Sequence, residues 1–295
     1  MMAAGPLLRP PAACKKCRGL ATVGQVNENC PNRLQSRDAP LAPEAATATL
    51  LSLVVPTRNE LANIRALLSS LREVLVGVQS EILVVDDSDD GTPEEAKRAA
   101  ADLSVNVRVI HREGSERRGG LSTAVIAGVG ASRGEYICVM DADLQHPPQL
   151  VKVMLQVARD RHADLVMASR YVRGGSDGGL SSSLRRLLSK ASKWLVKLLF
   201  FPRLMKVTDP LTGFFVVRRS LLEGVTLSPI GFKILLEILI RSGWKNSIDV
   251  PLKFDRRAAG KSKATVKQGT DFLRHAFTLF WDARVRRLAP RRRQS

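Results

Sequence analysis

Short apolar runs recur along the chain from residue 51 onward, separated by polar or turn-forming residues. Five of these runs have the length of buried strands, and they cover residues 51–55, 81–85, 105–110, 136–140 and 163–168. Two further strands are predicted, one ending at Val217 and one over 247–250. The pattern therefore predicts a sheet built from many short strands.

Segments with apolar residues every three or four positions lie between the strands and predict helices. The first follows strand 51–55, with apolar residues at Ile64, Leu67 and Leu71, and Asn59 is placed to cap its amino end. Other helices are predicted over 93–102, 147–161, 184–199, 231–241 and 272–287. Because strands and helices alternate with short connections, the predicted fold class is α/β, a doubly wound and mostly parallel sheet covered on both faces.

Three parts of the chain differ in composition. Residues 1–46 are rich in Ala, Pro, Asn and Arg and show no sustained period, which predicts a disordered basic tail. Residues 47–280 hold the predicted strands and form one domain, and residues 281–295 are predicted to be a basic C-terminal tail. No run of 18 apolar residues occurs, so the sequence predicts no membrane span.

Asp141 and Asp143 follow the apolar strand 136–140 directly. Residues two apart in an extended segment point the same way, so both carboxylates can face one spot. Such a pair suits Mg²⁺ or Mn²⁺, which keep open positions for phosphate oxygens. Asp86 and Asp87 end strand 81–85, and strand ends share one rim in a doubly wound sheet, so the four acids can converge. For an isolated Asp-x-Asp, a solvated turn is the alternative.

Two other segments suit a phosphate ligand. The turn at Gly119 and Gly120 leads into a helix of small residues, and its glycines serve either a tight turn or the approach of a ligand. The basic loop 256–263 has a hinge at Gly260 and can fold over phosphates. A solvated run of charge is the alternative for that loop.

The formal net charge of +18 is concentrated in patches. Residues 184–206 contain seven Lys and Arg and no acid, and residues 251–295 contain thirteen against three acids. Such patches predict a phosphate-rich partner: an anionic membrane, a nucleic acid or a phosphorylated substrate. Aromatic residues make up only 5% of the chain, which leaves few platforms for stacking bases and argues against nucleic acid.

The predicted helix 184–199 is amphipathic. Trp194 and several leucines make one stripe, and the other face carries cations such as Lys190 and Lys197 but no acid. An apolar stripe with Trp beside a purely cationic face predicts a helix that lies in a membrane interface. The alternative is a helix packed on the sheet, with its charged face in water.

The four cysteines fit a reducing compartment. Cys138 lies inside strand 136–140 and is predicted to be a buried small hydrophobe. Cys14 and Cys17 make half a zinc site at best, with only Cys30 nearby, so no metal is expected there.

Several segments, in this order along the chain, resemble the inverting family 2 glycosyltransferases of GT-A fold, in particular the dolichol- and polyprenol-phosphate mannosyltransferases. The residues that carry the resemblance are Val54-Val55-Pro56-Thr57-Arg58-Asn59-Glu60, Val84-Val85-Asp86-Asp87-Ser88, Gly120-Leu121-Ser122-Thr123-Ala124, Met140-Asp141-Ala142-Asp143-Leu144-Gln145-His146-Pro147-Pro148, Ser169-Arg170-Tyr171, Asp209-Pro210-Leu211-Thr212-Gly213-Phe214 and Arg257-Ala258-Ala259-Gly260-Lys261-Ser262-Lys263. The resemblance covers about residues 50–280. Leu211-Thr212 departs from the more usual Met-Ser, and Ser122 stands where Gly is common.

The resemblance implies a binding role for each motif. The implied nucleotide-sugar contacts are Pro56, Arg58, Glu60, Asp86, Asp87, Arg118, Asp141, Arg257 and Lys263. Within that set, Asp87 is expected to face the base or ribose, and Arg257 and Lys263 are expected on a mobile loop over the phosphates. The implied metal ligands are Asp141, Asp143 and Gln145, with Mg²⁺ or Mn²⁺ as the ion.

The implied catalytic residues are Asp143, Asp209 and Arg170. Asp209 is expected near the sugar, and Arg118 and Arg170 are expected to contact phosphate or the acceptor. The implied reaction transfers mannose from GDP-mannose to polyprenyl phosphate with inversion, and transfer of glucose from UDP-glucose to the same lipid is the alternative. The expected location is the cytoplasmic face of a membrane, as a peripheral enzyme or with a separate anchoring protein. A basic nucleic-acid-binding protein and a non-catalytic subunit of a membrane complex are the alternatives outside this reaction.

Overall fold

The computed structural model of this protein describes residues 49–176, 178, 183–228, 233–254 and 266–288. The strands of the described residues are β1 (Leu51–Thr57), β2 (Ser80–Asp86), β3 (Val107–His111), β4 (Tyr136–Val139), β5 (Leu165–Ser169), β6 (Phe215–Arg218) and β7 (Ser247–Pro251). They form one sheet in the order β3-β2-β1-β4-β6-β5-β7. All neighbours pair in parallel except β6, which runs antiparallel to both β4 and β5.

Helices cover both faces of this sheet. They are α1 (Leu61–Val74), α2 (Thr92–Leu103), α3 (Leu121–Ala131), α4 (Gln149–Asp160), α5 (Ser183–Leu199), α6 (Ile234–Arg241) and α7 (Val266–Leu288). Helices α1, α2 and α4 pack on one face, and α3, α5, α6 and α7 pack on the other. Strand side chains alternate between the two cores, with Leu53 and Val55 in the first and Val54 in the second. The predicted α/β fold class, with a doubly wound and mostly parallel sheet, is confirmed.

The direction of the strands places many loop residues at one rim of the sheet. Strands β1 to β5 and β7 point the same way, so their carboxyl ends meet at a single edge. Because β6 runs in the opposite direction, its first residue, Phe215, pairs with Val139 at the end of β4. The segment that precedes β6, residues 209–214, therefore arrives at the same rim.

Two details differ from the sequence predictions. Asn59 does not cap α1: it has a positive φ of 52°, and its side-chain oxygen accepts a hydrogen bond from the Asp89 backbone N–H over 2.9 Å. It thereby joins the loop after β1 to the loop after β2. Helix α7 spans Val266–Leu288, so it begins six residues before the predicted start at 272, and its end lies one residue after the predicted end at 287. The five strands predicted from apolar runs begin and end within two residues of the predicted positions.

Candidate active site

Asp86 is the acidic residue that ties the first three strands together at the rim. It is fully buried, and its Oδ1 accepts hydrogen bonds from the hydroxyls of Thr57 over 2.7 Å and Ser88 over 2.5 Å. Its Oδ2 lies 2.7 Å from His111 Nδ1 and accepts from the Ser88 backbone N–H over 3.2 Å. Both carboxylate oxygens of Asp86 are thus occupied by the protein itself, which fixes the shape of this part of the rim.

Asp87 is held in a similar way by an arginine that the sequence analysis did not identify. Arg112 donates from Nε to Asp87 Oδ1 over 2.8 Å and from Nη2 to Oδ2 over 2.7 Å, and both side chains are buried. Arg112 also donates to Thr123 Oγ1 over 3.1 Å, which reaches the start of α3. Arg112 follows β3 directly, and the rule that placed Asp87 at the rim would also have placed Arg112 there.

The Gly119–Gly120 turn adopts a conformation that requires glycine. Gly119 has φ +89° and Gly120 has φ +65°, and a Cβ on Gly119 would lie 2.4 Å from Thr123 Cγ2. Arg118, just before the turn, is exposed. The Arg117 guanidinium, in contrast, is held by the backbone: it donates hydrogen bonds to the carbonyl oxygens of Ser88 over 2.8 Å and Arg112 over 2.7 Å. The turn therefore leaves Arg118 as the cation that faces solvent at this corner.

The end of β1 and the loop after it contribute three more of the predicted nucleotide-sugar contacts. Pro56 is buried inside β1, where it pairs with Val85 of β2, and Arg58 beyond the strand is exposed. The Glu60 carboxylate accepts a hydrogen bond from Asn63 Nδ2 over 2.8 Å, and its backbone N–H donates to Thr92 Oγ1 over 3.0 Å. Arg58 and Glu60 thus lie at the rim, whereas Pro56 supports it from within the strand.

The acidic pair after β4 is built on a tight turn. Leu144 has a positive φ of 61°, and Asp143 Oδ1 accepts a hydrogen bond from the Gln145 backbone N–H over 3.1 Å. Asp143 is buried, and the Asp141 side chain is partly exposed, at 38%. The turn therefore holds one carboxylate firmly and presents the other to the rim.

His146 contacts both the backbone and the side chain of Asp141. Its Nδ1 accepts a hydrogen bond from the Asp141 backbone N–H over 3.1 Å, and its Nε2 lies 3.9 Å from Asp141 Oδ2. The buried ring stacks on Phe214 with centroids 4.9 Å apart. Burial lowers the pKa of His146 to about 4, against the opposing effect of Asp143, so the ring is neutral at physiological pH. The accepting Nδ1 requires the proton of a neutral ring to be on Nε2.

The oxygen ligands offered by Asp141, Asp143 and Gln145 fit Mg²⁺ or Mn²⁺ that is held jointly with a phosphorylated ligand. Within the described residues, no group of three or more His, Cys, Asp and Glu side chains is arranged to hold a metal ion. Mg²⁺-type ions are commonly bound by one or two carboxylates together with substrate phosphates, rather than by a complete protein cage. Asp141 and Asp143 supply two carboxylates, and Gln145 supplies a neutral oxygen on the same turn.

A second group of charges lies across the rim, between β5 and β6. Arg170 donates from Nε to Asp209 Oδ2 over 2.8 Å and from Nη2 to Oδ1 over 3.1 Å. Asp209 is almost fully buried, and the guanidinium also lies 5.3 Å from the ring centroid of Tyr171. The pair is therefore rigid, because both planar groups are fixed by two parallel hydrogen bonds.

Lys233 is a further cation of this group, and the sequence analysis did not identify it. Its Nζ donates to the Leu211 carbonyl oxygen over 2.7 Å, in the segment that leads to β6. Burial lowers its pKa to about 8; Arg170 acts in the same direction, whereas Asp209 and Asp141 oppose the shift. Lys233 precedes the apolar run of α6, and a single lysine in that position gives no pattern that distinguishes it from a surface residue.

Gly213 brings the two groups of charges together. A Cβ built on Gly213 would lie 3.4 Å from Asp141 Oδ2 and 3.7 Å from His146 Cε1. The segment that carries Asp209 and the carbonyl partner of Lys233 thus passes directly beside the acidic pair. Of the predicted site residues, only Arg257 and Lys263 lie outside the described residues.

The family of the chain follows from comparison with known proteins. The sequence pattern of Glycosyl transferase family 2 matches residues 52–226, which contain nearly all of the rim residues described above. The chain belongs to glycosyl transferase family 2. This membership agrees with the motifs that carried the resemblance.

Mannosyltransferases of several organisms are similar over most of the chain. A dolichol-phosphate mannosyltransferase of Pyrococcus furiosus is 38% identical over 240 residues, which are 81% of this chain and 66% of that protein. A dolichol-phosphate mannosyltransferase of Saccharomyces cerevisiae is 33% identical, over 78% of this chain and 86% of that protein. An undecaprenyl-phosphate mannosyltransferase of Micrococcus luteus is 35% identical, over 71% and 85% respectively.

Solved structures share the fold of this family 2 member. The crystal structure of glucosyl-3-phosphoglycerate synthase from Mycobacterium tuberculosis, in complex with Mn²⁺, UDP-glucose and glycerol 3-phosphate, aligns with a TM-score of 0.60 and 22% identity. The alignment covers 80% of each chain, and it confirms the GT-A type of sheet. Among the described residues, no helix has the length and apolar character needed to cross a bilayer.

Proposed function

We propose that this protein transfers mannose from GDP-mannose to the phosphate of a polyprenol, with inversion at the anomeric carbon. The observation that carries the proposal is the meeting at Gly213 of the acidic pair with the group of Arg170, Asp209 and Lys233. One side offers carboxylates for a metal-bound diphosphate, and the other offers cations for an anionic acceptor. The names of the similar mannosyltransferases supply the choice of sugar and of lipid class.

The donor side consists of the rim formed by β1, β2 and β3. Asp86 and Asp87 shape this rim through their bonds to His111 and Arg112, while Arg58 and Arg118 are exposed beside it. Asp141, Asp143 and Gln145 would hold Mg²⁺ or Mn²⁺ on the diphosphate. That ion would supply a positive charge that stabilises the nucleoside diphosphate as it leaves.

The acceptor side requires cations more than a general base. A lipid phosphate is already anionic at neutral pH, so it needs to be positioned rather than deprotonated. Asp209 has both oxygens bonded to Arg170, which suits an orienting role better than proton abstraction. Arg170, fixed in this way, and Lys233 would neutralise the acceptor phosphate while it attacks the anomeric carbon from the side opposite the diphosphate.

The proposed location is the cytoplasmic surface of a membrane, with α5 in the interface. Tyr171, which follows Arg170, lies 3.1 Å through its hydroxyl from Ser189 Oγ of α5, and Lys193 Nζ lies 3.7 Å from its ring centroid. Helix α5 is thus attached to the acceptor side of the rim. A lipid phosphate at the bilayer surface would reach Arg170 without leaving the membrane.

A transfer assay on liposomes tests the proposal. The full chain is incubated with Mn²⁺ and radiolabelled GDP-mannose, and a chloroform-soluble product should form only when polyprenyl phosphate is present. UDP-glucose is tested in parallel, and labelling from UDP-glucose alone would replace mannose by glucose in the proposal. Asp143→Asn should abolish transfer, and Asp102→Asn, at an exposed pair with Arg65, should not. Transfer by the Asp143→Asn variant would overturn the proposal. Failure of the parent protein to bind either GDP-mannose or UDP-glucose would overturn it as well.

A further inference from the structure

The Arg170–Asp209 pair lies beyond the end of the ladder between β5 and β6. That ladder ends where Met167 pairs with Phe215, so Arg170 follows the last paired residue of β5 and Asp209 precedes the first paired residue of β6. The position of Asp209 relative to Arg170 therefore depends on contacts made by side chains rather than on the pairing of these two strands.

Two hydroxyl side chains meet next to this pair. Ser169 Oγ lies 2.5 Å from Thr208 Oγ1, and it also accepts a hydrogen bond from the Tyr171 backbone N–H over 3.1 Å. Ser169 directly precedes Arg170, and Thr208 directly precedes Asp209. The same two segments are thus joined twice, and a shift of Thr208 would move one partner of the ion pair with it.

Asp249 of β7 holds Thr208 in place. Its Oδ2 accepts a hydrogen bond from the Thr208 backbone N–H over 3.0 Å. Strand β7 is the edge of the sheet beside β5, and Asp249 is the register partner of Met167. Because the acceptor is a carboxylate, this bond is stronger than one to a neutral carbonyl oxygen. The side chain of a sheet residue therefore anchors the residue that precedes Asp209.

Asp249 lies on a face of the sheet that is otherwise apolar at this point. Ile248 and Val250 pack in the first core, so the alternation of the strand directs Asp249 to the second face, where Met167 is part of the core. Its Oδ1 is buried and has no hydrogen-bond partner within the part of the chain that the structure describes. A buried oxygen without a partner costs stability, so packing alone does not account for an aspartate here.

The charges around Asp249 are those of the acceptor side of the rim. Burial raises the pKa of Asp249 and the Asp209 carboxylate acts in the same direction, whereas Thr208 and the charge of Lys197 oppose the shift. Lys197 belongs to α5, is itself buried, and donates from Nζ to the Met205 carbonyl oxygen over 3.2 Å. Asp249 thus acts electrostatically on the same group of residues that it contacts.

We propose that Asp249 is a positioning residue for the transfer of the sugar to the lipid phosphate. It fixes Thr208 and, through Thr208, the place of Asp209 and of the Arg170 guanidinium that Asp209 holds. The inference rests on the proposed function, in which Arg170 receives the acceptor phosphate. The nucleotide-sugar side of the rim, which other strands build, does not depend on this anchor.

Steady-state kinetics with a short, water-soluble prenyl phosphate test the role. Asp249→Ala should lower kcat/KM for this acceptor by about tenfold to a hundredfold, the size of effect that a small misplacement of an aligned group produces. Asp249→Asn keeps an oxygen that can accept from the Thr208 N–H, so it should recover most of the activity. The KM for GDP-mannose and the affinity for Mn²⁺ with GDP should stay unchanged in both variants.

Asp164 provides a matched control at the other end of the same two strands. Its Oδ2 accepts hydrogen bonds from the backbone N–H groups of Lys245 over 2.8 Å and Asn246 over 3.0 Å, so it also joins β5 to the segment of β7. Both aspartates are half-buried. Asp249→Ala and Asp164→Ala should each lower the thermal midpoint, but only Asp249→Ala should lower kcat/KM. Where the alanine variant does not fold, Asp249→Glu displaces the carboxylate by one methylene group and should be slow as well.

Hydrogen exchange at Arg170 tests the anchor without any substrate. The Arg170 Nε–H is bonded to Asp209, and its signal in a protein labelled with ¹⁵N-arginine is assigned by its loss in Arg170→Lys. Its exchange with solvent should become about tenfold faster in Asp249→Ala, the effect of losing one hydrogen bond to a charged group. Asp164→Ala should exchange at the rate of the parent.

The outcomes separate this inference from the proposed function. Equal acceptor kinetics of Asp249→Ala and Asp164→Ala, in a parent that transfers sugar, would overturn the inference alone. An unchanged exchange rate at Arg170 in Asp249→Ala, or a raised KM for GDP-mannose with unaltered acceptor kinetics, would overturn it too. Faster exchange at Arg170 in a protein that transfers no sugar would keep the anchoring of the pair and refute the proposed function.

Discussion

The Arg112 guanidinium donates to both carboxylate oxygens of Asp87, from Nε over 2.8 Å and from Nη2 over 2.7 Å, in a buried setting. Asp87 was expected to face the base or ribose of the nucleotide, and this pairing means that it also supports the rim on which a nucleotide would lie. A nucleotide contact at this corner would therefore involve Arg112 together with Asp87.

The first prediction concerns the stability that this pair provides. Arg112→Met leaves the Asp87 charge buried without its partner, and we expect a loss of about 3–5 kcal/mol in the free energy of unfolding, measured by urea denaturation. Arg65→Met is the control, because Arg65 pairs with Glu95 and Asp102 at the surface and its loss should cost about 1 kcal/mol or less. Equal losses in the two variants would contradict the prediction.

The second prediction separates the two costs of replacing Gly119. Gly119→Ala should lose about 1–2 kcal/mol from its positive φ and a further amount from the approach to Thr123 Cγ2. Adding Thr123→Ser removes that methyl group and keeps the hydroxyl, so it should restore only the steric part. Gly114→Ala, with φ +48° and no atom within 4 Å of its Cβ, should show the conformational cost alone. Full recovery in the double variant would mean that the positive φ carries no cost here.

The third prediction concerns the metal. Because two carboxylates and one amide are the protein ligands expected, Mn²⁺ should bind weakly alone and about tenfold or more tightly with GDP present. Electron paramagnetic resonance of free Mn²⁺ measures both affinities. Asp143→Asn should lose the gain from GDP while its circular dichroism stays unchanged. Equally tight Mn²⁺ binding with and without GDP would show a complete protein site and contradict the proposed mode.

The fourth prediction is a pH dependence from Lys233, whose pKa is lowered to about 8 mainly by burial. Its positive charge is present below that pH and lost above it, so the rate of transfer should fall as the pH rises through about 8. Arg170, Asp209 and Asp141 are the charged groups that act on Lys233. Lys233→Arg should keep its charge and move the fall to higher pH, and Lys233→Met should be slow throughout. Identical pH profiles for the parent and Lys233→Arg would exclude this origin.

Stability should respond to Lys233 with the opposite sign. The pKa of the lysine in the folded chain is about 8, below the ordinary value of 10.5, so the unfolded chain binds a proton more tightly between these values. The contribution of Lys233 to stability should therefore rise with pH between about 8 and 10.5. The difference in thermal midpoint between the parent and Lys233→Met, followed over that range, measures it, and a constant difference would contradict the sign.

The strands and the acidic centre of the site could be predicted because both depend on local patterns. Buried strands such as β2 are nearly continuous apolar runs, and Asp86, Asp87, Asp141 and Asp143 follow two such runs directly. The common direction of the parallel strands then places these acids at one rim. No long-range information is needed for that step.

The pairings across the rim could not be predicted in the same way. The position of β6 between β4 and β5 depends on which strands meet in space, and four residues of sequence do not encode that choice. Arg170 and Asp209 are 39 positions apart, and their pairing follows from the reversed direction of β6. Lys233 was missed because its burial depends on the same segment, to which it donates a hydrogen bond at the Leu211 carbonyl oxygen.

The reversed strand β6 also separates the proposed nucleotide-sugar residues from the proposed lipid-phosphate residues. With β6 between them, the ends of β4 and β5 lie about 10 Å apart, two strand spacings. Within the part of the chain that the structure describes, the proposed nucleotide-sugar residues, from Pro56 to Gln145, precede Arg170, Asp209 and Lys233. Under the proposed function, the first half of the sequence determines which nucleotide sugar is used, and the second half determines which lipid phosphate is used. A chimaera joined between α4 and β5 would carry one choice from each parent, so new pairings of sugar and lipid require a single crossover rather than many scattered substitutions.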